Sequence, residues 1–152
     1  MINQDEILQD PQLKVDILMW RVIKLLIKNK KHTLARFNLT CSQFDILFAI
    51  YYFSNTKKEI IQIDLSERTE TDPMTTSTVL RNLQRKGLIT RRRGDVNTRT
   101  VIVELTQSGL VLLERAFEEV RTTGELIYGD INKAHLASQL MRLSNILTKL
   151  NF

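Results

Sequence analysis

A single cysteine, Cys41, stands in a chain of 152 residues. That excludes an internal disulfide and any metal centre built on several thiolates, and it suits a reducing compartment. Two prolines and five glycines leave no linker-like tract, so no domain boundary is expected. The longest apolar stretch, Phe44 to Phe53, is too short for a membrane span and is broken by Asp45. The first ten residues carry acids but no basic head, so no secretory leader is expected, and the cytoplasm is the default address. His32 and His135 are far apart, no glycine-rich phosphate loop is present, and no His/Cys/carboxylate spacing suits a metal. Neither a metal, nor a cofactor, nor an enzymatic centre is expected. An enzyme with an unrecognised site is the weakest of the readings left open.

What is present is an ordinary folding composition, 43% hydrophobic and 26% charged. Its few punctuation marks are informative. Both prolines follow aspartate, at Asp10-Pro11 and Asp72-Pro73, and aspartate caps a helix while proline fills the first turn. Thr40 and Gln43 form a capping box, with Leu39 and Phe44 in the positions of a hydrophobic staple. Thr106 starts another helix, stapled by Leu105 and Leu110. From these starts the spacing predicts helices over 11–30, 41–53, 62–70, 73–86, 107–128 and 132–150. Gly87 ends the fourth. Between the fourth and fifth helices the period falls to two. Leu88–Arg91 and Thr100–Leu105 read as strands, the second with Val101, Val103 and Leu105 on one face, and Gly94 to Asn97 read as their turn.

The expected fold is therefore mainly α with a small β-hairpin. The last helix repeats leucine at Leu136, Leu140, Leu143, Leu147 and Leu150, at spacings of three and four. The first helix is apolar on more than one face, Leu13, Ile17 and Trp20 included. Packing of these helices within one chain is one reading. An interface with a second copy explains the extra apolar faces better.

Charge is concentrated. From Arg81 to Arg99 there are seven basic side chains and one acid, Asp95, a surplus of six in a chain whose net charge is +5. Such a segment on one helix–turn–strand unit suits a phosphate backbone. On the helix over 73–86, Thr76, Val79, Leu80, Leu83 and Gly87 share the core side. Met74, Thr78, Arg81 and Arg85 face away, flanked by Thr75, Ser77 and Asn82. Hydroxyls near a helix start and arginines further along suit a major groove, and four hydroxyl residues in a row are poor helix formers with no evident structural return. A hairpin-bearing module that binds proteins is the alternative, disfavoured because protein interface cores are depleted of charge.

The stretch DPMTTSTVLRNLQRKGLITRRRGDVNTRTVIVELTQSGLVLLERA, with Leu39-Thr40 and Gln43 followed by FDIL, resembles the MarR family of bacterial regulators. The resemblance is clearest from Leu39 to Ala116. It implies a single domain over 1–152, with a winged helix-turn-helix at 39–106 and dimerisation helices in 1–38 and 107–152. It implies a homodimeric transcription regulator in a bacterial or archaeal cytoplasm, a repressor on an inverted-repeat operator in double-stranded DNA. The recognition helix would contribute Met74, Thr75, Ser77, Thr78, Arg81, Asn82 and Arg85, and the wing Arg91, Arg92, Arg93, Asn97 and Arg99. Asn97 stands where many members carry aspartate, so an aspartate–arginine tie between recognition helix and wing is not expected. A small-molecule effector is compatible with the family, although no residue identifies one. Cys41 lies in the second helix rather than the first, where a peroxide-sensing branch carries its cysteine. It reads first as a small hydrophobe and only second as a redox sensor.

Overall fold

A computed structural model describes residues 9–150, so the first eight and last two residues of the expected dimerisation segments lie outside the described residues. Six helices and one hairpin follow in order: α1 Pro11–Ala35, α2 Cys41–Ser54, α3 Gln62–Arg68, α4 Pro73–Arg85, β1 Ile89–Arg93, β2 Val101–Leu105, α5 Gln107–Tyr128 and α6 Lys133–Leu150. The caps are those the sequence spells. Asp10 accepts from the amides of Gln12 (2.8 Å) and Leu13 (3.4 Å), Thr40 and Gln43 close a reciprocal box at 3.1 Å, and Thr106 accepts from the Gly109 amide at 3.0 Å.

Helix α1 runs five residues further than expected. Nothing in Lys31 to Ala35 breaks a helix, and Leu34 is fully buried, which anchors the extra turn. It ends where Asn38 takes a left-handed backbone (φ 53°), with the Leu39 amide donating to the Leu34 carbonyl at 3.2 Å. Gly87 (φ 71°) ends α4 in the same way, its amide donating to Gln84 and that of Leu88 to Leu83. Leu88 is thereby used in the turn, and β1 starts one residue later than the pattern suggested.

The hairpin is antiparallel, with Ile89 opposite Leu105, Arg91 opposite Val103 and Arg93 opposite Val101. Its second strand is buried on both faces at its centre. Ile102, on the face opposite Val101, Val103 and Leu105, is 1% exposed because Ile61 bridges to it and the Val103 amide donates to the Ile60 carbonyl at 2.8 Å. A non-local third edge therefore covers the hairpin.

The core is gathered from Leu34, Leu47, Ile50, Leu65, Leu80, Leu83, Val103 and Leu113, all at or near zero exposure. It thus takes in the end of α1 and the start of α5, beyond the 39–106 boundary. Most of the remaining surface of α1 and α6 is exposed. Within α1 only Thr33 and Leu34 are buried, and α6 has no buried residue.

Candidate nucleic-acid interface

Helix α4 is placed by its two ends. At the start, the Asp72 carboxylate accepts from the Thr75 amide at 2.9 Å, and hydrogen bonds from Thr75 hold its carboxyl below the ordinary aspartate pKa. The Gln62 side-chain amide donates to the Pro73 carbonyl at 3.2 Å, joining α3 to α4. At the end, the Gly87 carbonyl accepts from the hydroxyls of Thr106 (2.7 Å) and Ser108 (3.1 Å). A Cβ on Gly109 would lie 2.0 Å from the Leu88 carbonyl oxygen, so only glycine allows this approach. The Thr106–Gly109 junction therefore clamps the turn between α4 and the hairpin.

Of the core-side residues, Thr76, Leu80 and Leu83 are fully buried and Val79 is half-buried, whereas Gly87 is exposed. Thr76 corrects the idea that the hydroxyl run has no structural return. Its hydroxyl donates to the Asp72 carbonyl at 3.0 Å and closes the first turn. The outward side presents Met74, at 80% exposure, with Thr75, Thr78, Arg81 and Arg85 also exposed; Ser77 and Asn82 are half-buried on its flanks. The Thr78 hydroxyl donates to the Met74 carbonyl and accepts from an Arg81 Nη, both at 3.1 Å.

The hairpin's arginines differ in exposure. Arg92 and Arg93 are exposed, and Arg92 sits 3.6 Å from Asp95. Arg91 shares the face of Ile89 and is half-buried, with its Nε enclosed and unpartnered. At the turn, the Asn97 side-chain oxygen accepts from the Arg99 amide at 3.0 Å, and the Gly94 amide donates to the Thr100 carbonyl at 3.1 Å. Arg99 is exposed and lines one crevice of about 290 Å³ with Pro73, Gln62 and Ile61, so the wing arginine stands beside the start of α4. Its guanidinium has no ion-pair partner among the described residues.

Lys86 is tied back to the chain between α1 and α2. Its ammonium donates to the Asn38 carbonyl at 2.5 Å and to the Gln43 side-chain oxygen at 3.2 Å. Gln43 was visible as half of a capping box, but no local signal revealed its second partner 43 residues away.

The other candidate residues are elsewhere. On α1, Leu13, Ile17 and Trp20 are 37%, 56% and 65% exposed. On α6, Leu140, Leu143, Leu147 and Leu150 are exposed and Leu136 is half-buried. Cys41 is half-buried in the first turn of α2, packed against the core. Among the described residues no cluster of His, Cys, Asp and Glu could hold a metal, and no helix is long and apolar enough to cross a membrane.

Comparison with known proteins bears on this arrangement. The family model described as MarR family matches residues 39–101. The HTH-type transcriptional regulator YdcH of Bacillus subtilis is 29% identical over 99 residues, 65% of this chain and 67% of that protein. A Bacillus cereus regulator of the same kind is 33% identical, with 62% of its length matched, so the alignments span about two thirds of these relatives. Among solved structures, the transcriptional regulator BldR from Sulfolobus solfataricus superposes with a TM-score of 0.76 at 25% identity, covering 98% of this chain and 99% of that one. The S. aureus MepR–DNA complex superposes at 0.78 with 21% identity, covering 93% and 100%.

Proposed function

We propose that the chain is a transcription regulator of the MarR family, a repressor that binds an inverted-repeat operator in double-stranded DNA as a homodimer. The observation that carries this reading is the exposed row Met74–Thr78–Arg81 on α4, with the wing arginine Arg99 beside the start of the same helix. Shape and charge agree there. A protruding helix of suitable width for the major groove lies beside a flexible cation suited to a narrow minor groove. Residues 39–106 are the reading unit, and the helices within 1–38 and 107–152 join the subunits. Support for the join is the bare apolar surface of α1 and α6, which a monomer would leave in water.

The same reading includes a small-molecule effector and a cytoplasmic setting. The effector is supported by an open cavity of about 140 Å³ lined by Phe48, Tyr51, Leu113, Glu114 and Phe117. There the rings of Phe48 and Phe117 stack with centroids 5.6 Å apart. Such a surface fits a planar apolar molecule.

The test is a binding titration on duplexes from the DNA flanking the protein's own gene, at several salt concentrations. A dimer that makes about 6–10 phosphate contacts loses on the order of a thousandfold in affinity between 50 and 200 mM salt. A flat salt response, or equal affinity for a scrambled duplex, would overturn the reading. Sedimentation as a compact monomer at micromolar concentration would remove the dimer and the palindromic site together.

A further inference from the structure

We infer that Thr78 is a positioning residue rather than a base reader, and that it sets base preference by holding the Arg81 guanidinium. The inference rests on the reading of α4 as the recognition helix. A hydroxyl has one hydrogen and two lone pairs. The Thr78 hydrogen is given to the Met74 carbonyl at 3.1 Å, and one lone pair takes an Arg81 Nη–H at 3.1 Å. What remains is a single acceptor, which leaves Thr78 nothing to donate to guanine N7 or O6 or to thymine O4.

Arg81, by contrast, keeps most of its capacity. One of its five N–H groups is engaged and the others remain in a planar fork. An exposed arginine otherwise samples many rotamers, and fixing them is an entropic cost on binding. Residues 78 and 81 are one turn apart on the same helix face, so the hydroxyl draws the guanidinium back along the helix and narrows that sampling before DNA arrives. A guanidinium held in one direction discriminates between bases. One that swings freely finds a phosphate or an alternative edge on the wrong sequence. The hydroxyl acts through that choice, and valine in its place keeps the shape while it abolishes the anchor.

The experiment measures dimer binding to a randomised duplex library at several salt concentrations for the parent protein, T78V, T78S, R81A and the double variant T78V/R81A. Thermal unfolding of each variant is followed in parallel. The expected result is that R81A loses preference for guanine at one position in each half-site. T78V should lose part of the same preference, roughly threefold to tenfold, the worth of one such hydrogen bond, with its salt slope unchanged. T78S should restore it, and the double variant should behave as R81A does, because the two residues act as one unit. A T78V protein with the parent's base preference, or effects of T78V and R81A that simply add, would overturn the role of Thr78 while leaving the recognition helix in place. If R81A itself bound the whole library with unchanged preference, the reading of α4 and the inference would fall together.

Discussion

Lys86, at the end of α4, donates from its ammonium to the backbone carbonyl of Asn38 at 2.5 Å, across 48 residues of sequence. Asn38 can offer that carbonyl because its left-handed backbone turns the chain between α1 and α2. The hydrogen bond makes Lys86 part of the joint between the long N-terminal helix and the reading unit. Lys86→Met should therefore lower stability by about 1 kcal/mol, the worth of an exposed charge-assisted hydrogen bond after solvent screening. Denaturant unfolding measures that effect. A reduced salt slope of DNA binding with unchanged stability would return Lys86 to the residues that meet phosphate.

A second expectation concerns α6. Since it has no buried residue and the core is gathered between Thr33 and Ala116, charge on its leucine face should break association without dissolving the core. Leu140→Asp together with Leu147→Asp should give a monomer that retains most of its helical circular dichroism. Light scattering across a concentration series reads the outcome, and a persistent dimer would place the interface elsewhere.

These two cases show where the sequence was legible. Signals within four residues were read correctly: Asp72 before Pro73, Thr40 with Gln43, and Thr106 before Gly109 all cap helices as spelled. Gly87 adopts the left-handed turn its position implied. What escaped depends on partners distant in sequence. Ile102 is buried because Ile61 bridges to it, and no alternation along β2 could announce that. Lys86 joined the cationic run by proximity in the chain, although its hydrogen bonds go to Asn38 and Gln43. Arg91 was grouped with Arg92 and Arg93 as though the three were equivalent. The strand's period of two separates Arg91 only from Arg92; Arg93 shares its face with Ile89 and Arg91 and is exposed all the same, because the cover over that face ends before the strand does.

The clamp under the wing yields a third prediction. A methyl group on Gly109 would meet the Leu88 carbonyl oxygen at 2.0 Å and its carbonyl carbon at 2.9 Å, and both are backbone atoms that cannot rotate away. Gly109→Ala must push α5 from the turn that carries Gly87, weakening the Thr106 and Ser108 hydrogen bonds there. The cost should be about 1–3 kcal/mol, typical of overpacking, and should exceed the small gain alanine brings to a helix. Gly124→Ala is the control. It lies in the same helix with open space around its Cβ position, so it should be neutral or stabilising. Equal unfolding midpoints for the two variants would show that the junction yields more easily than its geometry implies.

The wing offers a prediction with opposite signs at two neighbouring residues. Arg92 and Asp95 face each other at 3.6 Å, and with 46% and 86% of their side chains exposed their mutual attraction is largely screened. The pair is worth little to stability, so changes in DNA binding can be read without a folding penalty. Arg92→Ala should weaken binding to all sequences about equally. It should also reduce the salt slope by about one unit for each phosphate left without its cation, about two in a dimer. Asp95→Asn removes the only acid between Arg81 and Arg99, and with it a repulsion toward the phosphates. It should strengthen binding, again on specific and scrambled duplexes alike, and most at low salt, where screening is weakest. Arg99 stands apart from both. Lining the crevice beside Pro73, it is placed to follow the groove rather than the strand, and Arg99→Ala should cost more on A·T-rich flanks than on G·C-rich ones. Titrations of the three variants against two flank compositions at two salt concentrations separate these effects. If Asp95→Asn left affinity unchanged at low salt, the tip of the hairpin would lie away from the DNA. Any weakening by Arg92→Ala would then have to arise from the strand's position and not from a direct bond to phosphate.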